Sequence, residues 1–119
     1  MKKILIIEDD TDFQDIYGLY LRGEKFQVFQ ALNGKQGLEA LEKEMPDLII
    51  LDLIMPIMDG EEFYVEMRKQ KKWKDVPVII ATVNDTLPDR IQRLGGVAGH
   101  LRKPFDVEDL IKKIRTCLK

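Results

Sequence analysis

Two patterns of apolar positions alternate along this chain. One is the short unbroken run: Ile4-Leu5-Ile6-Ile7, Leu48-Ile49-Ile50-Leu51 and Pro77-Val78-Ile79-Ile80-Ala81-Thr82. The other is recurrence every three or four positions, as in Phe13, Ile16, Tyr17, Tyr20 and Leu21. Short runs set between helical stretches predict parallel strands covered on both faces, and the second pattern predicts helices that bury one face. Asp10 to Asp12 offer caps for the first helix, and Gly23 helps end it. Phe26 to Ala31 reads as a second strand, Asn33-Gly34 as a turn, and Leu38, Leu41 and Met45 as the inner face of a short helix stopped before Pro46. A third helix carries Phe63, Met67 and Gln70, with an end rich in lysine and arginine. Pro88 and Gly95-Gly96 confine a fourth helix to the stretch around Arg90 to Leu94. A fifth strand lies near Val97 to Arg102. Asp106 caps a last helix whose apolar stripe is Val107, Leu110, Ile111, Ile114 and Leu118.

Strand–helix units repeated in this way, with right-handed crossovers, make a sheet covered by helices on both faces. The expected fold is therefore α/β, a flavodoxin-like doubly wound parallel sheet. No repeat, linker or low-complexity segment breaks residues 1–119, which read as one domain. An apolar content of 45% against 34% charged is the balance of a globular protein and not of a disordered one. A formal charge of −2 argues against a general nucleic-acid binder. No apolar stretch approaches the roughly 20 residues of a membrane span, and the run after Met1-Lys2-Lys3 is too short for a signal-peptide core. A cytoplasmic location is the expectation. The single cysteine, Cys117, agrees with it, since one thiol builds neither a disulfide framework nor a zinc site.

The polar residues that end the apolar runs carry the candidate chemistry. Glu8, Asp9 and Asp10 follow the first run, Asp52 follows the third strand, and Lys103 precedes Pro104 at the end of the fifth. In open parallel sheets ligands sit beyond the carboxyl ends of the strands, so these acids share one crevice. Carboxylates about 4 Å apart repel by roughly 4 kcal/mol per pair at an effective dielectric near 20. Such a cluster either keeps a proton or holds a cation, and a hard, oxygen-seeking ion such as Mg²⁺ fits best.

Taken together and in order, Ile-Ile-Glu8-Asp9-Asp10, Asp47-Leu-Ile-Ile-Leu-Asp52-Leu-Ile-Met-Pro56, Met58-Asp59-Gly60, Thr82 and Lys103-Pro104-Phe105 resemble the receiver domain of two-component response regulators over the whole chain. The resemblance implies a five-stranded sheet of order 2-1-3-4-5 with five helices. It implies that Asp52 is the phosphoacceptor, attacking a phosphohistidine on a partner kinase to give an acyl phosphate. It assigns Mg²⁺ to Asp52, Asp9 directly, Glu8 through water, and the backbone carbonyl of Ile54. Lys103 and the Thr82 hydroxyl would bind phosphate oxygens, and Pro104 would follow a cis peptide bond. The implied partners are a sensor histidine kinase or phosphotransfer protein and a downstream effector or fused output domain. A homodimer through the face of the fourth helix, fifth strand and fifth helix is a further option. Neither direct nucleic-acid binding nor membrane contact is expected.

Phosphorylation in such domains shifts an equilibrium between two conformations, in which the hydroxyl at Thr82 moves toward the phosphate and an aromatic residue three positions before the lysine turns inward. Here that residue is His100, either a modified switch whose charge is pH-sensitive or a half-exposed strand histidine without a role, with Leu94 and Val97 expected to line the inward pocket. Two other departures are Val83 after Thr82, where it narrows access to Asp52, and a Thr82–Lys103 segment one residue shorter than usual. Asp10 reads as a helix cap and Asp59-Gly60 as a turn. The run Arg68, Lys69, Lys71, Lys72 and Lys74 reads as a solvated helix end favoured by the helix dipole, with Trp73 a partly exposed cover for the core. Two alternatives are a receiver-like docking module that does not switch and a haloacid-dehalogenase-type phosphatase. The phosphatase needs a second acid two residues after its nucleophile, where this chain has Ile54.

Overall fold

The computed structural model describes all residues 1–119. Its elements alternate as the apolar pattern requires: β1 (Lys3–Ile7), α1 (Thr11–Gly23), β2 (Gln27–Ala31), α2 (Gly34–Glu44), β3 (Leu48–Leu51), α3 (Gly60–Arg68), β4 (Val78–Thr82), α4 (Asp89–Leu94), β5 (Gly99–Arg102) and α5 (Val107–Cys117). A short 3₁₀ turn at Lys71–Trp73 leads from α3 towards β4. The strands form one parallel sheet in the order β2-β1-β3-β4-β5, the flavodoxin-like arrangement.

Strand side chains alternate between the two faces, so each four- or five-residue apolar run feeds two cores. Leu5, Ile7, Ile49, Leu51, Val78 and Ile80 pack beneath Leu41 of α2, Phe63, Tyr64 and Met67 of α3, and Ile91 of α4. Ile4, Ile6, Leu48, Ile50, Ile79 and Ala81 pack on the other side against Phe13 and Leu21 of α1 and Leu110 and Ile114 of α5. The unbroken apolar sequence of β1, β3 and β4 is a consequence of this double cover.

Several details differ from the sequence reading. In α1 the buried face is Phe13, Gln14, Gly18 and Leu21, while Ile16 and Tyr20 are about half exposed. The helix carries apolar residues on both faces, and periodicity alone picked a stripe straddling them. Met45 is not on the inner face of α2. It caps the helix in a left-handed conformation (φ 50°) and is 74% exposed, because the chain reverses there to enter β3. Gln70 lies beyond the end of α3, and Asp106 makes no side-chain hydrogen bond to α5. The second and fifth strands are shorter than expected, starting at Gln27 and Gly99. Arg68 is not a solvated member of the basic run. Its guanidinium lies 4.7 Å from the Tyr64 ring centre and donates to the carbonyls of Trp73, Lys74, Val76 and Gly96. Leu94, expected in a pocket wall, is exposed, whereas Val97 packs against the core.

Candidate functional site

Three backbone hydrogen bonds extend the ladder one residue past the strands. Glu8 N donates to Ala31 O (2.9 Å), Asp52 N to Ile7 O (3.0 Å) and Lys103 N to Thr82 O (2.7 Å). The parallel register thus delivers Glu8, Asp52, Thr82 and Lys103 to the carboxyl-terminal end of the sheet. Oxygen atoms of Glu8, Asp9 and Asp52 lie within 4.8 Å of one another. Glu8 is 2% and Asp52 8% exposed, while Asp9 stands open to solvent.

Each group is held in place. Asp52 Oδ1 accepts from Leu53 N at 2.8 Å, which leaves Oδ2 facing Lys103 Nζ at 3.7 Å. Lys103 Nζ also donates to Glu8 Oε1, and Glu8 Oε2 accepts from Asp10 N at 3.1 Å. The lysine lies over the Phe13 ring, 4.5 Å from its centre. Phe13 stacks on Tyr17, and Tyr17 donates to Phe105 O at 3.2 Å, so an aromatic trio supports the stem that carries Lys103. The Lys103–Pro104 bond is cis. Thr82 is fully buried at the end of β4, and its Oγ1 accepts from Asn84 N at 3.5 Å. His100 reaches the same loop, its Nε2 3.2 Å from Asn84 O.

Burial sets the electrostatics. Desolvation raises the Glu8 carboxyl from its ordinary value to about 7, against the opposing pull of Lys103 and the Asp10 amide. Asp52 is also raised by burial, opposed chiefly by Lys103. One ammonium does not neutralise three carboxylates. The all-oxygen donor set matches a hard divalent cation.

Sequence reasoning missed three supports. Asp59 caps α3 through Glu62 N (2.9 Å), and Gly60 is more than a turn residue. A Cβ on Gly60 would lie 2.2 Å from Asp52 O and 2.7 Å from Leu53 Cα, so only glycine lets α3 start against the peptide that carries Asp52. Gln14 is polar at a position where α1 faces the core, and its carboxamide reaches the end of β1. A polar residue on the buried stripe was its only signal in the sequence.

A family model described as the response regulator receiver domain matches residues 4–115. The DNA-binding dual master transcriptional regulator RpaA of Synechocystis sp. is 35% identical over 120 residues, covering 100% of this chain and 50% of that protein. Chemotaxis protein CheY4 of Vibrio cholerae is similar in structure, with a TM-score of 0.88 and 31% identity over 98% of each chain. The receiver domain of sensor histidine kinase PA1611 from Pseudomonas aeruginosa, solved with a magnesium ion coordinated in its active site cleft, has a TM-score of 0.86 and 28% identity over 99% of this chain and 98% of that one. The chain spans about half the length of the curated relatives it matches. These findings give no support to the phosphatase alternative, and Ile54 stands where its second acid would be.

Proposed function

Because the chain belongs to the response regulator receiver domain family of two-component signalling, we propose that Asp52 is its phosphoacceptor and that residues 1–119 act as one receiver unit. The observation that carries this reading is the convergence of Asp52 with two further carboxylates and the Lys103 ammonium at the carboxyl ends of the strands. Asp52 Oδ2, the oxygen free of the Leu53 amide, attacks phosphorus. The nitrogen–phosphorus bond of a donor phosphohistidine breaks, the imidazole leaves, and an acyl phosphate forms. Lys103, already beside Oδ2, pairs with the incoming phosphoryl oxygens, and the Thr82 hydroxyl gives up its Asn84 amide to meet another. The residues fit Mg²⁺: Glu8, Asp9, Asp52 and the Ile54 carbonyl would hold it, and when bound it supplies positive charge to neutralise the phosphoryl oxygens.

The donor is a sensor histidine kinase or a phosphotransfer protein in the cytoplasm. Asn84 touches both Thr82 and His100, so movement of Thr82 toward the phosphate releases the loop that His100 holds. The face of α4, β5 and α5 then reads out the state to an effector, a fused output domain or a second copy of the chain. Incubation with acetyl phosphate and Mg²⁺ is expected to add a single phosphoryl group, seen by intact-mass spectrometry, and to add none with a chelator present. Equal modification of Asp52→Asn, or no effect of the chelator, contradicts the assignment.

A further inference from the structure

The carbonyl ends of β1 and β2 converge on one side chain of α1. Gln14 Nε2 donates to Ile6 O at 2.9 Å, Glu8 O at 3.1 Å and Ala31 O at 2.9 Å. Ala31 O also accepts the Glu8 amide. Gln14 is 2% exposed, and its carboxamide oxygen is buried with no partner. An orphaned buried acceptor is destabilising, and a leucine or methionine would fill this face of α1 without it. Two N–H groups set among three carbonyls are what the position gains in return.

These contacts fall on the peptide that matters most at the site. Glu8 O is the carbonyl joined to Asp9 N, so fixing it fixes the peptide plane between the two acids. Ile6 O lies on β1 two residues before Glu8, and Ala31 O ends the neighbouring strand β2. The carbonyl of Gln14 in turn accepts from Gln30 Nε2 at 3.3 Å, which ties α1 itself to β2. We propose that Gln14 is a positioning residue for the acid pair, holding the Glu8–Asp9 peptide so that both carboxylates face Asp52. This rests on the reading of the acids as the Mg²⁺ site. The side chain directs all its hydrogen bonds to backbone carbonyls. It acts through the backbone, in the way that groups behind metal ligands commonly hold them in place.

The test is calorimetric titration of the chain with Mg²⁺ alone, in the parent, in Gln14→Met, and in Ile114→Val as a distant core variant matched for loss of melting temperature. Gln14→Met keeps length and apolar volume but has no donor. Its Mg²⁺ dissociation constant is expected to rise about tenfold or more, with that of Ile114→Val unchanged. With acetyl phosphate, the Mg²⁺ concentration for half-maximal phosphorylation rises by the same factor, while the rate at saturating Mg²⁺ stays near the parent's. If Gln14→Met does not fold, Gln14→Asn, which draws the amide back by one methylene, gives the same comparison. Equal Mg²⁺ affinity in parent and variant overturns the inference and leaves the site assignment standing. A parent that binds no Mg²⁺ overturns both.

Discussion

Asp52 and Gly60 are eight residues apart in sequence and touch in the fold. The acid was legible because it ends an apolar run, is followed by Met55-Pro56, and has a counterpart in the acid pair Glu8-Asp9 at the end of another run. The glycine looked like the second half of an Asp-Gly turn. Its backbone contact with Asp52 comes from the return of α3 over the end of β3, which no local pattern encodes. Gly60→Ala forces a methyl group into backbone atoms that cannot rotate away, so α3 must shift. The expected cost is about 2 kcal/mol or more, measured by urea unfolding, together with slower phosphorylation by acetyl phosphate. Gly23→Ala, where a Cβ meets nothing within 4 Å, is the control. Gln14 was missed for a related reason: a polar residue among apolar ones is read as noise in the stripe until its partners, Ile6, Glu8 and Ala31, are seen.

The elements differ in how strongly their sequences specify them. β1, β3 and β4 are fully buried apart from Lys3, and their apolar runs could hardly be read otherwise. The edge strand β5 is four residues of intermediate or exposed character, so only its end, Lys103-Pro104, marked it. α4 has six residues and no side-chain cap at Pro88. What secures its far end is supplied by α3. Tyr64 donates to Gly95 O at 2.7 Å, and Arg68 donates to Gly96 O at 3.0 Å, the two glycines both having positive φ. In sequence, Arg68 was one cation in a basic run, because a guanidinium serving four carbonyls has no local signature. Arg68→Met keeps the stem over Tyr64 and removes the donors. The variant is expected to lose about 1–3 kcal/mol, with faster amide exchange at residues 95–98 and unchanged protection in β1 and β3. Uniform acceleration across the sheet would show that the tether is not local.

At the scale of the molecule, the buried acids make stability depend on pH in an unusual sense. The Glu8 carboxyl titrates near 7 in the fold and near its ordinary value when unfolded, so the folded state holds the proton more tightly. Its contribution is fully present below about pH 4.5 and is lost as pH rises through about 7. Without metal, the protein is therefore expected to gain about 1 kcal/mol as pH falls from 8 to 6, read from melts in a chelator. Mg²⁺ held by these acids as proposed would compete with the protons, and its addition is expected to reverse the slope. A metal-free melt independent of pH over this range would contradict the burial argument. The same architecture separates the site from the amino-terminal ends of the strands. Trp73, the only tryptophan, sits on the 3₁₀ turn before β4, beside Met45, Pro46 and Val76, where the strands begin and not where they end. Its indole is thus a built-in fluorophore that senses whether the chain is folded while sitting a full strand length from the acids. Unfolding can be followed by intrinsic emission, and occupancy of the acidic crevice calls for an added label at its rim.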